Sequence, residues 1–170
     1  MSLSSSDPDP PGPADRLRGA VDHPAVVLYA DFECPRCGLA WSRVREQPLR
    51  LGLRHFPVTS AHSRAMQAAC AAEAAAAQGR FWEMVDSLFM DQGRLEDPHL
   101  WERAEALGID VETFDADRRS FAVIERVKGD FRSAIRAGVA ATPSFLVGGS
   151  LSQGVPDPGL VAAWVSRSDA

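Results

Sequence analysis

The sequence predicts an α/β fold with a central mixed sheet whose strands fall into two groups separated by a block of helices. Three observations predict it. A continuous apolar run at residues 24–32 suits a strand covered on both faces. Four stretches of helical periodicity lie between about residues 60 and 137. The chain then closes with a strand, a Gly-Gly turn, a partner strand and a helix.

The chain has 170 residues, 45% of them hydrophobic, enough for one domain with a real core. Met1 to His23 hold six prolines or glycines and four serines but no apolar run, so they are expected to form a disordered tail over 1–22. The domain is expected over 23–168, with a helical insertion at about 60–137. Its first strand, 24–32, leads into Cys34. Pro35 follows at a first helical position, where its missing N–H costs nothing, and the helix should run to about Gln47, before Pro48. Residues 49–56 alternate Leu49, Leu51 and Leu53 with Arg50, Gly52 and Arg54, which is strand periodicity, and Pro57 closes it. Residues 62–78 are rich in alanine and read as a helix stopped by Gly79. Residues 80–90, 98–107 and 121–137 repeat apolar positions at spacings of three and four. Strands at 144–147 and 150–153 flank Gly148-Gly149, and 158–165 forms the last helix.

Cys34-Pro35-Arg36-Cys37 carries the chemistry. Two cysteines at i and i+3 on the first turn of a helix share one face and can close a disulfide with little backbone movement. The helix start bears partial positive charge and free N–H groups, including those of Arg36 and Cys37, which favour a thiolate on Cys34. Cys34 is therefore the expected nucleophile and Cys37 the resolving thiol. The Arg36 guanidinium would help if it folds back, whereas the Glu33 carboxylate would oppose ionisation. Asp31 reads either as a proton acceptor for Cys37 or as an ordinary hydrogen-bonded carboxylate.

A structural zinc site is the competing reading of C-x-x-C. It needs four ligands, and beyond the pair the chain offers Cys70, His23, His55, His62 and His99, none in a second tight pair. No metal and no organic cofactor are expected. Cys70 sits among alanines, as a small buried hydrophobe does. Thr142 and Pro143 open a strand about a hundred residues after the cysteines. A proline is permitted there, and a cis bond before it would leave neighbouring backbone free, so a substrate peptide could pair with the edge at Thr142 beside Cys34.

A net charge of −5 argues against nucleic acid as a partner. No apolar segment approaches the roughly 20 residues needed to span a bilayer. The start of the chain lacks the run of roughly 7–15 apolar residues that marks a secretory leader. A cytoplasmic location is expected, with no membrane partner.

Asp31-Phe32-Glu33-Cys34-Pro35-Arg36-Cys37, Arg54-His55-Phe56-Pro57, Gln78-Gly79-Arg80-Phe81-Trp82-Glu83-Met84 and Gly138-Val139-Ala140-Ala141-Thr142-Pro143-Ser144-Phe145 together resemble the DsbA-like branch of the thioredoxin superfamily, in its D-F-E-C-P-x-C group. The resemblance implies a thioredoxin-like fold with a helical insertion between its βαβ and ββα halves. It implies Cys34 attacking, Cys37 resolving and a cis Thr142–Pro143 bond facing them. Two departures stand out. Many relatives are exported, while a cytoplasmic pair would rest as a dithiol and favour reduction or isomerisation. Arg36 stands where exported relatives commonly carry histidine and this group often an aromatic residue.

The expected activity is that of a DsbA-like disulfide oxidoreductase exchanging with protein disulfides and thiols or a low-molecular-weight thiol. A redox-sensing binding module and a glutathione-type thiol transferase are the alternatives, the latter disfavoured by retention of both cysteines.

Overall fold

The computed structural model describes residues 8–167. Among them a five-stranded sheet runs in the order β1-β3-β2-β4-β5. Its strands are β1 (Leu17–Arg18), β2 (Ala25–Ala30), β3 (Arg50–His55), β4 (Ser144–Val147) and β5 (Ser150–Gln153). β2 lies parallel to β3 and antiparallel to β4, β5 is antiparallel to β4, and β1 is antiparallel to β3. The sheet is mixed, as the element order requires: β2 and β3 are joined through the helix α1 (Pro35–Val44), whereas β4 and β5 need only a two-residue turn. Gly148 and Gly149 make that turn with φ of 54° and 79°, a geometry open to glycine at both positions.

Alternation along β2 divides the core in two. Val26, Leu28 and Ala30 face one side, where α1 and most of the helices pack, and Phe145 and Val147 of β4 join them. Val27 and Tyr29 face the other, with Leu146, Ala134 and Phe131. The helical insertion comprises α2 (Ala65–Ala77), α3 (Phe81–Met90), α4 (Asp97–Ala106), α5 (Val111–Arg118) and α6 (Phe121–Arg136), and α7 (Pro158–Val165) closes the fold. Trp41 of α1 stacks on Trp82 of α3 with centroids 5.9 Å apart, which fixes the insertion against the helix bearing the cysteines.

Four sequence expectations need correction. Helix α1 stops at Val44, not near Gln47, because the residue before a proline avoids helical geometry and Gln47 precedes Pro48. Helix α2 starts at Ala65, not His62, because His62 is turned aside to Asp31. Helix α5, unassigned in the sequence, is capped by the Asp110 carboxylate, which accepts from Thr113 N at 2.7 Å. It has little apolar periodicity to reveal it.

The fourth concerns the disordered tail. Its residues 1–7 lie outside the described residues, but β1 falls inside the span read as disordered and pairs Leu17 with Gly52. Arg54 donates to both Asp15 carboxylate oxygens, at 2.9 and 2.8 Å, and to the Asp9 carbonyl at 2.9 Å. Arg16 reaches Glu73, Arg18 reaches Asp86, and both guanidiniums lie over aromatic rings. The order comes from arginine contacts, to which a count of apolar surface is blind.

Candidate active site

The loop between β2 and α1 carries Asp31, Phe32, Glu33 and Cys34. Cys34 is the N-cap of α1, with extended backbone, and Pro35 occupies the first turn as its fixed φ favours. Cys34 and Cys37 are both free thiols; Cys34 is 6% exposed and Cys37 not at all. Both are buried, but Cys34 is the nearer of the two to the surface, which favours it as the sulfur that meets a second molecule.

The electrostatics separate the pair further. Cys34 is held down to about 5, first by a hydrogen bond from the Cys37 thiol. Burial opposes this, while the Cys37 backbone N–H, the Thr142 side chain and the Arg36 backbone N–H support the thiolate. Cys37 moves the other way, because it donates to the Cys34 thiolate and is buried. One thiolate and one thiol sharing a proton is the arrangement expected of two coupled acids at a helix start.

The pH dependence follows. Folded Cys34 ionises near 5 and an unfolded cysteine near about 8.5. Between those values the unfolded state holds the extra proton, so stability of the reduced protein rises with pH. Its contribution is complete above the unfolded value and lost as pH falls through about 5. Thiolate absorbance of the reduced protein is expected to titrate near 5 and to be absent after oxidation; a midpoint near 8.5 would remove the helix-start effect.

Each neighbour predicted from sequence has a definite place. The Asp31 carboxylate is buried and accepts from Glu33 N, Val58 N and His62 Nδ1, all at 2.8 Å. It is thus a hydrogen-bonded strut of the loop, the plainer of its two sequence readings. Glu33 is turned to Arg64, whose backbone N donates at 2.7 Å and whose Nε lies 3.3 Å away, so its charge is paired beside Cys34. The Arg36 side chain is exposed and extends towards Gly154, and its help to Cys34 comes through the backbone. The Thr142–Pro143 bond is cis, and the Cys34 thiol lies 3.9 Å from the Thr142 carbonyl. Residues 108 positions apart therefore meet at one site. Among the described residues no group of three or more His, Cys, Asp or Glu could hold a metal ion, and no helix is long and apolar enough to cross a membrane.

His62 and Arg64 were not singled out as active-site residues from sequence; His62 entered only as a possible zinc ligand. His62 titrates above its usual range because Asp31 accepts its hydrogen bond, with Cys34 and Glu33 adding negative charge. Both residues sit in the polar run between Pro57 and the alanine-rich helix, and no spacing rule links that run to the cysteines.

Residues 49–163 match the family described as DSBA-like thioredoxin domain. A thioredoxin-like oxidoreductase from Silicibacter pomeroyi DSS-3 superposes with a TM-score of 0.80 at 25% identity, over 92% of each chain. The thiol-disulfide exchange protein alpha-DsbA2 of Wolbachia pipientis shares the fold at a TM-score of 0.79 and 17% identity, over 90% of this chain and 86% of that one. Oxidised BdbD from Bacillus subtilis does so at 0.78 and 18%, over 91% and 92%. Among curated proteins, the Na(+)/H(+) antiporter NhaA 1 of Mycobacterium sp. (strain KMS) is 41% identical over 149 residues, 82% of this chain and 24% of that protein. The Na(+)/H(+) antiporter NhaA of Herminiimonas arsenicoxydans is 43% identical over 161 residues, 91% of this chain and 25% of that protein. The chain spans about a quarter of the length of these curated relatives, and the antiporter name belongs to those whole proteins. The βαβ and ββα halves, the inserted helices and the cis-proline beside two thiols agree with the family match, which covers more than half of the sequence. The chain belongs to the DSBA-like thioredoxin domain family.

Proposed function

We propose that this chain is a thiol-disulfide oxidoreductase that accepts electrons from protein dithiols. The observation that carries this reading is the split between the sulfurs: Cys34, the less buried, has its thiol lowered to about 5 and is a thiolate at neutral pH, against a fully buried Cys37 held as thiol. Stabilising the thiolate stabilises the reduced pair, which makes the disulfide form a stronger oxidant.

In the forward exchange a substrate thiolate attacks Cys34 Sγ of the Cys34–Cys37 disulfide. The internal S–S bond breaks, and Cys37 leaves with the electron pair and takes up a proton. A second substrate thiolate then attacks the substrate sulfur of the mixed disulfide and expels Cys34. Two electrons have passed to the pair, and Cys34 departs readily because thiols of low pKa are good leaving groups. A protein disulfide or the disulfide of a small thiol must then reoxidise the pair, taking its two electrons and being reduced to two thiols. The backbone beside cis-Pro143 gives the substrate segment a place to align, with Thr142 at the site and the Pro143 carbonyl already taken by Gly154 N at 2.8 Å.

This direction is opposite to the one suggested by a cytoplasmic location. Oxidised protein mixed with a reduced two-cysteine peptide is expected to yield one peptide disulfide per pair reduced. Equilibration with glutathione should place the couple above about −200 mV. A value near about −270 mV, typical of thioredoxin, would reverse the working direction. Absence of exchange either way would reject the activity and favour the redox-sensing module.

A further inference from the structure

The turn before the nucleophile is held from a distance by the insertion. Gln92 lies between α3 and α4, 58 positions from Cys34, and its Nε2 donates to the carbonyls of both Phe32 and Cys34 at 2.8 Å. One amide nitrogen thus spans the residues on either side of Glu33 and uses both its hydrogens. The Cys34 carbonyl also accepts from Cys37 N at 3.0 Å and Gly38 N at 3.3 Å, which starts the helix. The other end of the same amide rests on Gly38. A Cβ added there would overlap Gln92 Oε1 and come within 2.9 Å of its Cδ. Gly38 has no positive φ to account for it, and glycine inside a helix is less favourable than alanine. The space it leaves is filled by Gln92.

From this juxtaposition we infer that Gln92 is a positioning residue of the active site, through which the helical insertion sets the orientation of the Cys34 loop and the acidity of its thiol. The inference rests on the thiolate chemistry proposed above. Two effects act in one direction. Fixing the Phe32 and Cys34 carbonyls keeps the Arg36 and Cys37 N–H groups aimed at Cys34 Sγ. Donation to the Cys34 carbonyl also draws off negative charge close to the thiolate. Gly38 is the complement of this contact: it admits the amide to the start of α1.

The test is a mutant cycle on the reduced full-length chain, read by thiolate absorbance against pH, with thermal unfolding in parallel. Gln92→Ala is expected to raise the Cys34 midpoint by about one pH unit, a tenfold change in the acid constant. Gly38→Ala should raise it similarly by ejecting the amide, and the double variant should show one shift, not the sum. Gln92→Glu cannot donate to the carbonyls and should raise the midpoint at least as far as Gln92→Ala. Unchanged midpoints in Gln92→Ala and Gly38→Ala would overturn the inference, as would a Gly38→Ala protein that is only more thermostable, the result expected from helix propensity alone. Two independent shifts that add would overturn the linkage between the residues. Each readout is relative to the wild-type titration, so failure here is distinct from failure of wild-type protein to exchange disulfides.

Discussion

Replacing Cys34 with serine is expected to lower disulfide exchange by at least about 10³-fold, since the nucleophile is removed outright. A serine hydroxyl neither ionises near pH 5 nor forms a disulfide, and no other sulfur can substitute. Cys37 is fully buried, and Cys70 is buried in α2 with its thiol pushed up to about 11 by burial. Cys37→Ser should behave differently. Its hydroxyl can still donate to the Cys34 thiolate, so when exchange is run in the reverse, reducing direction the first attack on a substrate disulfide survives, but the resulting mixed disulfide has no resolving thiol. A one-to-one covalent complex that dithiothreitol releases should accumulate. Cys37→Ala, which lacks that donor, should in addition raise the Cys34 midpoint, because the Cys37 hydrogen bond is its largest support. The measurements are turnover on a peptide disulfide and non-reducing electrophoresis. Turnover retained by Cys34→Ser, or trapping by it in place of Cys37→Ser, would reverse the assigned roles.

Arg54→Ala is expected to destabilise the protein by about 3–5 kcal/mol, the range for breaking a buried ion pair from one side. The guanidinium and the Asp15 carboxylate are 8% and 6% exposed. Arg54 also donates to the Tyr29 hydroxyl at 2.8 Å and to the Pro10 carbonyl at 3.2 Å. Burial by itself would raise the Asp15 carboxyl, yet it is held below its usual range by Arg54 and by the Gly12 N–H. With Arg54 gone the carboxylate keeps the Gly12 bond at 2.8 Å as its nearest partner, and the Asp9 and Pro10 carbonyls lose their donor. Residues 8–18 should then detach and become the first site of proteolysis. Lysine should not rescue, because a point charge cannot serve a carboxylate, two carbonyls and a hydroxyl together. Urea unfolding and limited proteolysis check this. A loss under about 1 kcal/mol with the segment still protected would mean that β1 and the Arg16 and Arg18 contacts hold it without Arg54.

The elements that were legible are those with a strong local signal. Strand β2 declared itself by an unbroken apolar run, α2 by its alanines, and the β4–β5 turn by paired glycines. The cysteine pair and the proline at the start of β4 were legible because each is rare chemistry in a definite local setting. Segments ordered by partners elsewhere in the chain were not legible. β1 depends on Arg54, Glu73 and Asp86, and α5 depends on a single capping carboxylate and packing on α2.

The sequence by itself determined the order of every strand and helix except β1 and α5, the sulfur pair at the head of a helix and the direction in which that helix start would bias Cys34. Local spacing and intrinsic preference suffice for these, since each involves residues within a few positions of one another. Only the tertiary structure decided that Glu33 is neutralised by Arg64, that Asp31 is bound by His62 and that Gln92 holds the loop, and it set at 3.9 Å the approach of Cys34 to Thr142 that the family resemblance led one to expect. Those pairs are separated by 31, 31, 58 and 108 positions, and closing such separations is the work of the whole core, which no local pattern encodes.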